Sequence, residues 1–430
     1  MHYYRLFHRT GVLAVASLVA ATATVAGSLS PAVASPATTA KPALSRPSAT
    51  TGTCGGPIPT QAPMDPQGAI AKSPAVVQAA FNGYPVAVHP SPWADFKPSS
   101  GPPWTIGWAW NELNAYGTGN HEGIQADFLA YQKLGLVKNY IPSLTDTANG
   151  ATQQAQQIRT DVEKKVNIII SALTSPTALN GVIEQAAKAD IPVISVSGTS
   201  TDPHSVNVQA NPYLLGAQTA TALVNIMHQK GNLLVVSGVP GLSIATFSLA
   251  AAMKIFANCP NIHVVGSVVG NFSQSVAKSV VLQFLATHPG TINAVWQDSS
   301  MALGVIQAFE EAGRPVPPVA DTSADWGSLA YWRDHMKDGY QGTANGDPAK
   351  AMGEATFDVA MRMLEGQGVK FTDIPIVPPV ITAANLDQWV PAGWNDNISH
   401  TAEGPPQSWL PDTYLNNFFN HPANPLDYKP

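Results

Sequence analysis

Charge is scarce in this chain. Only 12% of its 430 residues are Asp, Glu, Lys or Arg, about half the ~25% of an ordinary soluble domain. Acidic residues outnumber basic ones by 28 to 22, for a net charge of −6 at pH 7, and no basic run occurs, so the electrostatic footprint of a nucleic-acid partner is missing. Cysteine is scarcer still. Cys54 and Cys259 are the only two, which excludes a disulfide scaffold and a thiolate zinc site. The 11 histidines form no H-x-H or H-x-x-x-H pair and sit in no carboxylate cluster, so neither a metal nor any other cofactor is expected. Beyond residue 27 no run is long and apolar enough to span a membrane. What is present is 45% hydrophobic residues in a chain long enough to bury a sizeable core.

Four kinds of sequence follow one another. Arg5 and Arg9, an uncharged apolar stretch over 11–27 and Ala32-Val33-Ala34 have the layout of a cleaved export signal over residues 1–34. Residues 35–103 form a proline-rich extension; Pro57, Pro59, Pro63, Pro66 and Pro102-Pro103 each remove a backbone donor and oppose helix or central strand. Its part after Cys54, with Phe81, Tyr84, Trp93 and Phe96, is expected to lie against a folded body. From residue 104 short β-branched runs alternate with Ala-, Gln- and Leu-rich helical segments. The runs at 105–110, 166–171, 191–196, 233–237, 263–269 and 292–296 read as strands buried on both faces. Ser175-Pro176 and Asn211-Pro212 place an N-cap residue before a first-turn proline. The pattern predicts α/β architecture with parallel sheets. Residues 394–430 are again rich in proline and aromatics and are expected to dock on the surface.

Catalytic motifs fail on spacing. Gly117-x-Gly119-x-x-x-Gly123 is not a dinucleotide fingerprint and is read as a flexible cleft loop. Gly241-Leu-Ser243-Ile-Ala245 has alanine where a nucleophile elbow has its last glycine, leaving Ser243 as a helix N-cap. The aromatics are more telling. Trp108 and Trp110 share one face of the first strand, and Tyr116 follows it in the loop with Asn111 and Asn114. Trp296 nears another strand end, and Trp326 follows Asp325. Strand C-termini are where open α/β sheets hold ligands, and flat rings beside Asn and Asp suit a sugar or cyclic polyol; core packing is the alternative for Trp108, Trp110 and Trp326.

From 104 to 389 the sequence resembles the type I periplasmic substrate-binding proteins of sugar ABC transporters, the ribose-binding-like group. The carriers are Thr105-Ile-Gly-Trp, Ile191-Pro-Val-Ile-Ser-Val, Val206-Asn-Val-Gln-Ala-Asn-Pro, the segment from Ile292 through Gln-Asp298-Ser-Ser-Met-Ala-Leu-Gly, and Lys337-Asp-Gly followed by Asp347-Pro348 and Met352-Gly353. The resemblance implies two Rossmann-like lobes joined by a hinge, one of residues 104–207 plus 347–375 and the other of 208–346, with a crossover and tail over 376–430. It implies an exported, monomeric, non-enzymatic protein that closes on a small-molecule ligand and delivers it to an ABC transporter permease, with no nucleic-acid partner. An exported hydrolase of a glycoside or ester and a ligand-presenting sensor subunit are the alternatives.

The family's ligand contacts map onto altered residues. Its Asp-Arg after the fourth strand is Ser197-Gly198 here, its arginine after the fifth falls near Phe247-Ser248, its Asn-Asp is Asp298-Ser299, and its hinge glutamine falls at about Asn345-Gly346. The expected ligand set is thus Trp110, Asn111, Asn114, Tyr116, Ser197, Phe247, Asp298, Asp325, Trp326 and Asn345, for a ligand smaller or less polar than a pentose or hexose. In an oxidising compartment Cys54 and Cys259 are expected to pair, with two free thiols as the alternative.

Overall fold

The computed structural model describes residues 52–110, 115–144, 150–398, 400–404 and 410–423. The export signal over 1–34, Asn111 and Asn114 lie outside them.

Strands β1 (Trp104–Trp110), β2 (Val137–Leu144), β3 (Ile168–Ser171), β4 (Val193–Val196), β5 (Ser205–Ala210) and β6 (Gly231–Ser237) come first. They are followed by β7 (Ile262–Val269), β8 (Ala294–Gln297), β9 (Val319–Asp321), β10 (Thr343–Asn345), β11 (Asp373–Ile376) and β12 (Val380–Ile381). One sheet has the order β11-β5-β4-β3-β1-β2 and the other β12-β10-β9-β8-β6-β7. The pairings are parallel except for β12 on β10. β3, β4 and β8 are buried along their whole length, as strands covered by helices on both faces must be.

The covering helices are α1 (Ala75–Ala80), α2 (Ala115–Lys133), α3 (Gly150–Glu163), α4 (Asn180–Lys188), α5 (Pro212–Ile226) and α6 (Ser243–Ala257). They continue with α7 (Gln274–Thr287), α8 (Ala302–Glu311), α9 (Trp326–His335), α10 (Ala349–Leu364) and α11 (Asp412–Leu415). Asn211 caps α5 as its sequence predicts, accepting from the Tyr213 and Leu214 amides. Ser175 does not cap a helix: its hydroxyl accepts from the Thr177 and Ala178 amides in a turn, and α4 starts only at Asn180. Ser243 is the first residue of α6 rather than its cap, which is Leu242. The glycines read as a cleft loop belong to α2. A Cβ on Gly123 would stand 2.1 Å from the Lys350 carbonyl oxygen, and one on Gly353 as close to that of Asn120. Glycine at these positions lets α2 and α10 touch backbone to backbone.

The chain crosses between the sheets after β5, after β10 and after β11. The first crossing lies later than its predicted place at 207/208, because β5 stays paired with β4 and β11 through Val208 and Ala210. β11 likewise runs one residue past the predicted end at 375, to Ile376. Two further segments span both halves. The proline-rich extension is tied by a Cys54–Cys259 disulfide to the apolar cluster beside the second sheet and continues to Phe81, Tyr84, Trp93 and Phe96 in the core of the first. The C-terminal segment buries Trp389 in the second half and Phe418 and Phe419 in the first. Each buried ring contributes roughly 1.5–3 kcal/mol, which holds these irregular segments to the body.

Candidate functional site: a cavity between the two sheets

A cavity of about 110 Å³ lies where the C-terminal ends of the two sheets face each other. From the first sheet it is lined by Trp110 and Tyr116 after β1, Ala172 after β3, Ser197 after β4, and Gln209 and Ala210 at the end of β5. From the second come Leu242 and Ile244 at the start of α6, Phe272 after β7, and Ser299 and Ser300 after β8. Asp347, on the segment that returns to the first half, completes the wall. This is the crevice position expected of parallel sheets. A depression of about 570 Å³ on the extension is lined by residues 60–82 alone and does not lie between the sheets.

Backbone strain concentrates around the cavity. Ser197 (φ 55°), Phe272 (φ 55°), Ser299 (φ 69°) and Ser300 (φ 57°) all take the left-handed conformation, which non-glycine residues adopt sparingly and which clusters at functional sites. The strain turns short side chains, and one ring, toward the space between the halves.

The polar groups are organised. The Tyr116 hydroxyl donates to Asp347 Oδ1 at 2.9 Å and lies 3.2 Å from Ser197 Oγ. Burial pushes the Asp347 carboxyl up to about 7, with the Tyr116 hydrogen bond opposing it. Burial, then the Asp347 charge, raises the Tyr116 phenol well above its ordinary value, so it stays a neutral donor. Trp110 stacks on Trp108 with ring centres 4.4 Å apart and an interplanar angle of 23°. Trp108, also edge-on to His121 and Tyr140, is the buried backing ring and Trp110 the one on the cavity. The Trp110 Nε1 donor and the Gln209 Oε1 acceptor are buried without a partner among the described residues. A ligand hydroxyl would satisfy each.

Of the ligand set expected from sequence, the structure brings Trp110, Tyr116 and Ser197 to the cavity. Asn111 and Asn114 lie outside the described residues, and Phe247, Asp298, Asp325, Trp326 and Asn345 are placed elsewhere. Asp298 is 2% exposed and faces away, accepting from Ser248 Oγ and the Gly238 amide; its successors Ser299 and Ser300 reach the cavity instead. Phe247 packs across the gap on the apolar core of the first half. Asp325 caps α9 through the Gly327 and Ser328 amides. Trp326 is roofed by the C-terminal segment, stacked on His400 at 4.7 Å and against Trp394 at 4.7 Å. Asn345 donates to the Leu215 carbonyl and fixes the second crossing. Gln209, Phe272 and Asp347 were missed. A signal for the first existed: Asn207 and Gln209 are polar residues two apart in a strand otherwise fit for full burial.

Four buried carboxyls make a testable electrostatic pattern. Burial pushes Asp161, Asp298 and Asp347 up to about 7 and Asp373 up to about 6. In the unfolded chain each returns to about 3.9. Between those limits the folded state binds more protons, so stability is fully present below about pH 4 and is lost as pH rises through 6–7. The melting temperature at pH 5 should exceed that at pH 8 by on the order of 5 °C, and Asp347→Asn should flatten part of the slope. A scanning-calorimetry series in which stability rises from pH 5 to 8 would contradict this.

Among the described residues no helix is long and apolar enough to cross a membrane, and no cluster of His, Cys, Asp and Glu could hold a metal. Residues 121–368, more than half of the 430-residue chain, match the periplasmic binding protein domain family. The chain is 25% identical over 248 residues to the xylitol-binding protein of Mycolicibacterium smegmatis, covering 56% of this chain and 68% of that protein. Its fold is similar to an ABC transporter solute binding protein from Thermobispora bispora (TM-score 0.64, 24% identity, 73% of this chain and 94% of that one). It is also similar to an ABC transporter solute binding protein from Bacillus halodurans with bound myo-inositol (TM-score 0.58, 21% identity, 67% and 98%). With its two sheets of mostly parallel strands, three crossings and cavity between them, the chain belongs to the periplasmic binding protein family, a family of substrate-binding rather than catalytic proteins.

Proposed function

We propose that this is an exported solute-binding protein that captures a small, uncharged polyol or similar weakly polar sugar between its halves for an ABC transporter permease. The observation that carries the ligand class is the lining of the cavity. Among the described residues Asp347 is the one charged residue that lines it, no Lys, Arg, His or Glu joins it there, and the remaining polar groups are hydroxyls, one amide and one indole. Such a wall repels phosphate and carboxylate and rewards hydroxyls. Trp110 and Phe272 approach from opposite halves, so a ligand with apolar C–H faces gains contact on both sides only when the halves close. The names of the relatives, xylitol-binding and myo-inositol-bound, point the same way. The Cys54–Cys259 disulfide supports an oxidising compartment.

A thermal-shift panel of xylitol, myo-inositol, glycerol, arabinose, ribose and gluconate tests this. At a hundredfold excess over Kd a ligand adds about 2.7 kcal/mol to stability, a rise of several degrees. At least one neutral polyol or pentose should give it and gluconate should not. A shift confined to gluconate would sink the reading.

A further inference from the structure

A residue that hydrogen-bonds Gln209 on the cavity wall lies outside the matched family region. Gln209 is 1% exposed on the cavity wall, and its Nε2 donates to Tyr84 Oη at 2.7 Å and to Thr199 Oγ1 at 2.6 Å. Tyr84 belongs to the proline-rich extension, before residue 121 where the family match begins. Its hydroxyl donates to Asp373 Oδ1 at 2.9 Å. Asp373 also accepts from Asn207 Nδ2 at 2.9 Å and Thr372 Oγ1 at 2.7 Å.

These bonds have a direction. A carboxyl surrounded by three donors acts as acceptor, so the Tyr84 proton points at Asp373. The Tyr84 oxygen is then left to accept, and only the NH2 end of Gln209 can satisfy it. The amide is thereby oriented with Oε1 on the other side, where that oxygen is buried and has no partner among the described residues. Burial of the Tyr84 ring, 2% exposed and edge-on to Phe81 with centres 5.4 Å apart, fixes the position of its oxygen between these two partners. We infer that Tyr84 is a positioning residue: the extension reaches behind the cleft and holds Gln209 so that its carbonyl accepts a hydrogen bond from a ligand hydroxyl. The inference rests on the polyol reading of the cleft for its ligand, but the orientation of the amide can be tested without one.

Two measurements separate these. In unliganded protein labelled with 15N-glutamine, Tyr84→Phe should speed exchange of the Gln209 side-chain amide protons at least tenfold; Gln209→Ala assigns the resonance. With xylitol and myo-inositol as probes, Tyr84→Phe should weaken binding about tenfold, Gln209→Ala at least as much, and the double variant no more than Gln209→Ala alone. A purely structural role for Tyr84 would lower stability but add its loss to that of Gln209→Ala. Unchanged amide exchange, binding within twofold of wild type, or additive losses would each overturn the positioning role. If wild type binds neither polyol, the ligand class fails and the amide exchange alone decides for or against Tyr84.

Discussion

Asp347→Ala is expected to weaken ligand capture by about ten- to a hundredfold, which corresponds to roughly 1.4–2.8 kcal/mol, while leaving the chain folded. Asp347 sits at the crossing between β10 and α10, so its carboxyl is placed by the hinge itself. It holds the Tyr116 hydroxyl, which in turn lies against Ser197. Removing it takes an acceptor from the cavity and leaves a buried phenol short of its partner, a combination that costs more than the net worth of one hydrogen bond. Asp347→Asn separates the two parts of the effect. The amide keeps the shape and an oxygen for Tyr116, and it mimics the protonated acid that burial favours below about pH 7. Binding by Asp347→Asn should stay within a few-fold of wild type at pH 5 and fall further behind at pH 8. Titration calorimetry at both pH values checks this; equal binding by wild type and Asp347→Ala would remove Asp347 from the site.

The disulfide should dominate stability. Cys54 and Cys259 are 205 residues apart in sequence, and closing so long a loop restrains the unfolded chain strongly, for about 2–5 kcal/mol in native proteins. The bond also fixes the start of the extension to the end of α6, where Cys54 and Ile58 pack on the apolar cluster that contains Phe256 and Cys259. Replacing both cysteines with serine should lower the urea midpoint accordingly. The loss should appear first as release of the extension, with Tyr213 no longer donating to the Pro59 carbonyl. Urea melts of the serine variant that superpose on wild type would show that the extension holds without its covalent anchor.

Much of the architecture was legible because buried parallel strands leave a strong trace. Runs such as Ile168-Ile-Ile-Ser and Val193-Ile-Ser-Val carry no charged residue and one small serine each, which is buried, and each became a strand in the place expected. Strands β9 and β10, three residues each, are too short for any period to register, and β2 carries Lys138 and Asn139, so its apolar pattern is broken. The cleft was legible where residues followed clear strands, as Trp110, Tyr116 and Ser197 do. It was misread where one residue stood for a whole turn. In Asp298-Ser299-Ser300 the acid looks like the ligand contact, yet two left-handed residues in succession reverse the chain and send the serines forward and the acid back. Trp326 was misread because the ring that covers it, His400, is distant in sequence. The role of the extension was invisible for the same reason: Tyr84 meets Asp373 across 289 positions, and no local pattern encodes that contact.

The claim that the cavity binds and releases a solute without altering it is tested most directly by calorimetric titration with the polyol that gives the largest thermal shift, followed by chemical recovery of that compound. One site per chain, binding weakened about ten- to a hundredfold in Asp347→Ala, and recovery of the polyol unchanged after prolonged incubation are the expected results. Recovery of a transformed product, or full binding heat in Asp347→Ala, would contradict the account.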